Sequence, residues 1–261
     1  MYIDAHCHLT GEEYESIGGL SEVIARAQSA GVKRMICSGF DLVSSKQAAA
    51  ISERFESVYF CAGFHPSELS RLRETDWQEF AALFRHEKCV AVGEIGLDYH
   101  FEDNPPRQTQ REAFVRQLKM ANEAGLPVVL HSRDAAQETL EILEQNAALL
   151  KHSGLLHCYS YSPEMAERFA GLGLYFSFGG TATFKNAKKV QESIQRIPAQ
   201  RILSETDCPY LTPVPFRGVF PNEPKNVIFA LEKIAELKNT TVQEMQEIVW
   251  NNAKALFFKL K

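Results

Sequence analysis

The chain has 261 residues, of which 45% are hydrophobic and 23% charged, the balance of an ordinary globular protein. Lys and Arg number 28 against 33 Asp and Glu, a net charge of −5. That excludes a protein coating long stretches of nucleic acid, which needs a basic surface, but leaves room for an enzyme gripping a few phosphates. No run of about 18 apolar residues and no basic-then-apolar leader is visible, so no membrane span or signal peptide is expected and the expected compartment is the cytoplasm.

Eight short apolar, β-branched runs are legible along the chain, near 2–5, 33–38, 57–62, 89–93, 127–131, 154–158, 174–178 and 201–205. Each precedes an amphipathic stretch, and they recur roughly every 20 to 40 residues, the size of a βα unit. Leu20, Val23, Ile24 and Ala27 form a helical stripe ended by Gly31, and Phe114, Leu118 and Ala121 another ended by Gly125. Ser162-Pro163 reads as an N-cap followed by Pro in the first turn. Thr241 and Glu244 read as a capping box opening the last helix, with Met245, Ile248 and Val249 inward. Cys7, Cys37, Cys61, Cys89, Cys158 and Cys208 lack CxxC spacing and sit mostly in apolar runs, so buried, reduced thiols are expected. The turn-rich stretches 97–107 and 209–224 read as walls of a site rather than linkers, and residues 1–261 are expected to fold as one domain.

The chemistry begins at His6-x-His8. Side chains two apart on a strand share a face, so both imidazoles can reach one metal while Cys7 turns away. Glu94, His131, His157 and Asp207 likewise follow the apolar runs Val90–Gly93, Pro127–Leu130, Leu155–Leu156 and Ile202–Ser204. Alternating β and α units fit either an open doubly wound sheet or a closed barrel. Neighbouring strands lie about 4.8 Å apart, so the outer strands of an open eight-stranded sheet would be separated by roughly 30 Å. Only closure brings His6 and His8 to Asp207. The expected fold is a single (β/α)8 TIM barrel with a metal site at the C-terminal face of its strands.

His6, His8, Glu94, His131, His157 and Asp207 make a mixed N/O donor set suited to zinc, manganese, iron, cobalt or nickel, with magnesium a poorer match. Six ligands exceed what one open catalytic ion takes. Two divalent ions bridged by a carboxylate fit better, Glu94 being the natural bridge, and such a site activates water as hydroxide at neutral pH.

With Gly93-Glu-Ile-Gly-Leu-Asp98, His131-Ser-Arg133, His157 and Glu205-Thr-Asp-Cys-Pro209 added to HxH, the chain resembles the TatD family of metal-dependent deoxyribonucleases, within the amidohydrolase-type barrels. The resemblance runs from Asp4 to the terminal helix and includes Gly63-Phe-His-Pro66, Arg217-Gly218 and Asn222-Glu-Pro224. It implies one ion at His6, His8, Glu94 and Asp207 and a second at Glu94, His131 and His157. Val219-Phe-Pro221 departs from the short, often basic link usual before Asn222.

Around this set, Asp207 is a candidate catalytic residue, its free oxygen accepting a proton from the attacking water. His65 either contacts substrate phosphate or a metal-bound water, or is a surface histidine before a turn. Arg133 either clamps a phosphate bidentately or forms a structural salt bridge. Glu205 and Asp98 read as residues that orient ligands, Asp98 alternatively as a loop cap. Gly179-Gly180 offers either phosphate-binding N–H groups or a flexible turn. Tyr159, Tyr161 and Phe216 either stack bases or pack loops. His86, His100 and His152 lack a strand-end position.

The expected function is two-metal hydrolysis of phosphodiester bonds in DNA, at ends or in single strands, the DNA substrate following from the resemblance. The expected partner is DNA or a short nucleic acid, with no obligatory protein partner. The alternative enzyme is an amide or ester hydrolase of the amidohydrolase type acting on a small molecule. Barrels of that kind commonly carry a bridging lysine after strand 4, where this chain has Glu94. A non-enzymatic metal-binding scaffold is the third reading, opposed by an intact ligand set.

Overall fold

The computed structural model describes residues 1–261. In chain order the elements are β1 (Tyr2–Cys7), α1 (Gly19–Ser29), β2 (Val32–Ser38), α2 (Leu42–Arg54), β3 (Val58–Ala62), α3 (Asp76–Leu83), β4 (Cys89–Asp98) and α4 (Arg107–Ala124). They continue as β5 (Val128–Arg133), α5 (Ala136–Gln145), β6 (Gly154–Leu156), α6 (Pro163–Gly171), β7 (Tyr175–Phe178), α7 (Lys188–Arg196), β8 (Ile202–Ser204), α8 (Val227–Leu237) and α9 (Val242–Leu256). All seven ladders are parallel, and each strand pairs with the next in sequence, the order of a (β/α)8 barrel.

The seam between β8 and β1 closes the barrel without a regular ladder. Asp207 N–H donates to His6 C=O at 3.0 Å, and His8 N–H to Cys208 C=O at 2.7 Å. Ser204 Oγ donates to Ile3 C=O at 3.1 Å, and Thr206 N–H to the buried Asp4 carboxylate at 2.9 Å. The bonds that close the barrel therefore join His6 and His8 directly to the turn bearing Asp207.

The helices form where the sequence supplies caps and stripes. Ser162 Oγ accepts from Met165 N–H with Pro163 in the first turn of α6, and Thr241 with Glu244 makes the capping box of α9. Gly125 closes α4 in the left-handed conformation at φ 69°. Val23, Ile24, Ala27, Phe114, Leu118, Ala121, Met245 and Val249 are all buried against the strands.

Five strand ends differ from the pattern reading: β1 reaches Cys7 and β5 Arg133, each two residues beyond its apolar run, and β4, β6 and β8 differ as well. β4 does not stop at Gly93 but runs to Asp98, because β5 continues beside it, with Ile95 opposite Leu130, Gly96 opposite His131 and Asp98 opposite Arg133. Gly96 permits this: at φ 145°, a Cβ there would lie 1.9 Å from the His131 carbonyl oxygen. β6 and β8 are shorter than expected because Cys158 (φ 46°) and Asp207 (φ 53°) turn into the left-handed region. Five of the six cysteines are buried and all are free thiols. No helix is long and apolar enough to cross a membrane.

Candidate metal centre

Glu94 projects from the middle of β4 into the barrel mouth, and its two oxygens face two different groups. Oε2 lies 3.3 Å from His6 Nε2 and 3.6 Å from His8 Nε2. Those two nitrogens are 3.3 Å apart, and Asp207 Oδ1 lies 3.7 Å from the first and 3.4 Å from the second. Around a tetrahedral ion with bonds of about 2.1 Å, neighbouring ligand atoms lie about 3.4 Å apart, so this spacing fits a cation among the four residues. On the other side, Glu94 Oε1 lies 2.8 Å from both His131 Nδ1 and His157 Nε2, which are 3.4 Å apart. The strand alternation holds as expected at Cys7, which is fully buried and directs Sγ to the Ile36 carbonyl, away from the mouth.

On His6, His8 and His131 the remaining imidazole nitrogen has a partner away from the Glu94 side. His6 Nδ1 meets Ser38 Oγ at 3.0 Å, and His8 Nδ1 donates to Ser38 C=O at 3.0 Å. His131 Nε2 donates to Asp98 Oδ2 at 3.1 Å. This is how metal-ligating histidines are held in one tautomer. Ser38 escaped the sequence reading because its run ends in no ligand-type residue; Asp98 carries its signal in position, two turns of pleat beyond Glu94 on the same strand face.

Electrostatics demand positive charge on both sides of Glu94. Burial opposes its ionisation, but the facing His157, His131 and His6 imidazoles overcome this and hold the carboxyl well below the usual range. Burial would also lower His8, yet Asp207 and Glu94 lift it to about 9. His157, likewise penalised by burial, is raised by Glu94 to about 10. Both Glu94 oxygens thus face rings whose positive charge they favour, as they would favour divalent cations in the same places. Burial together with the neighbouring His157 lowers His6 to about 4. The donor set and its charge therefore fit two cations: His6, His8, Glu94 and Asp207 for one, Glu94, His131 and His157 for the other.

The second-tier residues divide. His65 lies at this centre, Nε2 at 3.6 Å from Glu94 Oε1 and Nδ1 bonded to Ser67 Oγ at 2.7 Å, so it is not a surface histidine. Glu205 is fully buried and accepts from Cys158 N–H at 2.7 Å; its Oε1 stands 4.0 Å from His157 Nδ1, which has no hydrogen-bond partner. Arg133 is exposed and forms no salt bridge; its guanidinium lies over the Phe101 ring at 4.9 Å. Gly180 is no open phosphate cradle, since a Cβ there would fall 1.9 Å from the Leu211 carbonyl oxygen; the turn is packed under the β8 loop. Tyr159 and Tyr161 prove to be packing residues, their hydroxyls bonded to Ser162 C=O and Ser132 Oγ, while Phe216 is exposed. His86 and His100 pair with Glu53 and Asp134 outside the centre.

Asp98 gives a prediction of its own. Asp98→Ala is expected to weaken the position formed by Glu94, His131 and His157 about 10- to 100-fold, because His131 loses the partner that orients it. Titrating the metal-free protein with zinc should show one site weakened and the His6/His8 site nearly unchanged; equal weakening of both would contradict the assignment.

A family model described as TatD related DNase matches residues 3–258. The chain is 42% identical over 257 residues to a Bacillus subtilis (strain 168) protein known as the uncharacterized metal-dependent hydrolase YabD, covering 98% of this chain and 99% of that one. It is 34% identical over 256 residues to the uncharacterized metal-dependent hydrolase YcfH of Escherichia coli (strain K12), covering 98% and 95%. The crystal structure of YjjV, a TatD homolog from Escherichia coli K12, matches with a TM-score of 0.92 at 31% identity, covering 98% of each chain.

Proposed function

Because this chain belongs to the TatD family of metal-dependent hydrolases, we propose that it hydrolyses phosphodiester bonds of DNA, at ends or in single strands, with two divalent cations. The observation that carries the reading is Glu94, each of whose oxygens faces its own pair of imidazoles at the open end of the barrel. Two divalent cations, one held by His6, His8, Glu94 and Asp207 and one by Glu94, His131 and His157, would supply a nucleophile from water at neutral pH and offset the charge that builds on phosphate oxygens.

The chain's own groups supply the rest. Asp207 directs Oδ1 at His6 and His8, which leaves Oδ2 to accept the proton of the attacking water. His65, whose ring packs edge-on against His131 at 4.3 Å, presents Nε2 to a substrate oxygen. Burial and the neighbouring His131 lower it to about 3, so it meets the substrate neutral. Arg133, with no carboxylate partner, is available to a non-bridging phosphate oxygen.

Metal-reconstituted protein assayed on labelled single- and double-stranded oligonucleotides tests the reading. Cleavage with single strands preferred is expected; no cleavage of either, with both metal positions filled, would overturn it in favour of an amide or ester substrate. Salt gives a second check. The net charge of −5 limits phosphate contacts, so log affinity against log salt should fall with the slope of about two to four phosphates. A slope of ten, typical of extensive contact, would contradict this.

A further inference from the structure

The loop after β8, which begins at the metal-facing Asp207, and the segment from β7 into α7 carry exposed apolar and cationic side chains. Tyr210 and Phe220 are 54% and 59% exposed, their ring centroids 6.3 Å apart and tilted by 38°. They do not sit on a slack segment. The buried Asn222 donates from Nδ2 to the carbonyls of Thr206 and Tyr210, and its N–H donates to Pro209 C=O. Tyr210 N–H donates to Asp207 C=O at 3.0 Å, so the ring is tied to the turn carrying a metal-facing carboxylate. Further along, Phe216 anchors on Phe229 at 5.5 Å, and Thr212 Oγ1 donates to Val219 C=O.

The β8 loop is also joined to the β7 loop. Val214 N–H donates to Thr183 Oγ1 at 2.9 Å, and the Arg217 guanidinium covers the Phe184 ring at 4.0 Å. Arg217, Lys188 and Lys189 are exposed and form no ion pair, whereas Arg196 at the other end of α7 reaches Glu164 and Glu167. The two lysines occupy the first turn of α7, which holds no acidic residue, at the helix end where the dipole disfavours cations. Local conflicts of this kind persist in a sequence where function requires them.

We propose that this surface binds a single DNA strand, bases stacked on Tyr210 and Phe220 and flanking phosphates at Lys188, Lys189 and Arg217; the proposal rests on the phosphodiesterase reading above. Held aromatic faces beside unpaired cations are what an unpaired strand recognises, because every base has a π-face and every linkage a charge. A duplex has its base faces stacked internally and cannot use the rings. An apolar protein surface would use the rings and leave three cations unpaired. The continuity from Tyr210 to Asp207 leads a strand held here to the metal centre.

The test compares metal-loaded wild type with the Tyr210→Ala/Phe220→Ala double variant. Binding is measured to a short phosphorothioate strand, which keeps backbone charge and slows cleavage, and to the same backbone with abasic residues. Wild type should prefer the base-bearing strand about 10- to 100-fold. The double variant should bind both alike, with metal content and melting temperature retained, while Tyr210→Phe keeps the preference. Arg217→Ala should weaken both strands equally and reduce the salt slope by about 0.7. Equal binding of both strands by wild type, or a preference surviving in the double variant, overturns the proposal. So does loss, in that variant, of binding to phosphatidylserine vesicles with oligonucleotide binding intact. Cleavage of an unmodified strand is followed in parallel: cleavage without base preference sinks this inference alone, and base preference without cleavage keeps the surface while sinking the phosphodiesterase reading.

Discussion

Glu94→Ala is expected to cost the protein both cations, whereas His6→Ala costs mainly one. The asymmetry follows from geometry. Oε2 is shared with His6, His8 and Asp207, and Oε1 with His131 and His157, so Glu94 is the one side chain common to the two groups. His6 Nε2 belongs to the Oε2 side alone, with His8 and Asp207, its other nitrogen meeting Ser38 Oγ. Glu94→Gln sharpens the test, because the amide keeps one oxygen and replaces the other with a donor that cannot ligate, so one position should survive. Hydrolysis by Glu94→Ala should fall at least about 10³-fold, since the lost cations are worth several kcal/mol of charge stabilisation. Metal content after extensive dialysis, with a melting curve to confirm folding, checks the stoichiometries. The same metal content in Glu94→Ala, His6→Ala and wild type would remove the basis for a shared carboxylate.

The parts of this site legible in the sequence are those governed by period and closure. Period two on β1 puts His6 and His8 on one face and Cys7 on the other, and the rule needs no neighbour to hold. The argument that Asp207 reaches them only in a closed barrel also needs no side-chain detail, and the seam carries it through backbone bonds from Asp207 to His6 and from His8 to Cys208. What escaped the pattern depends on partners far away in the chain. β4 continues past Gly93 because β5 runs beside it, which an apolar run alone does not report. Ser38 orients two histidines using one hydroxyl and one carbonyl, groups that every serine carries. The loop aromatics show the same limit from the other direction. Tyr159 and Tyr161 bear the same chemistry as Tyr210, yet hydroxyl partners at Ser162 and Ser132 draw them inward, while the Asn222 clasp leaves Tyr210 out. Composition near a strand end marks a residue as a candidate; its hydrogen-bond partner decides whether it reaches substrate.

Arg133 is where that distinction is expected to have the largest kinetic consequence outside the six candidate ligands. It lies two residues beyond His131 on β5, opposite Asp98 in register, and its guanidinium rests on the half-exposed ring of Phe101 rather than on a carboxylate. A structural salt bridge is therefore absent, and stability has little to lose with the side chain. Arg133→Ala should retain both cations and nearly the wild-type melting temperature while hydrolysis slows by about 10²-fold, the effect of losing one preorganised donor to developing charge. Arg133→Lys should restore only part of the rate, because an ammonium keeps the charge but lacks the planar fork that meets two phosphate oxygens and stacks on an aromatic face. Metal content, melting temperature and single-turnover rate measured on one preparation separate the outcomes. A fully metallated Arg133→Ala protein that cleaves at the wild-type rate would show that the phosphate is held elsewhere, and Arg133 would then be left as a surface cation packed on Phe101.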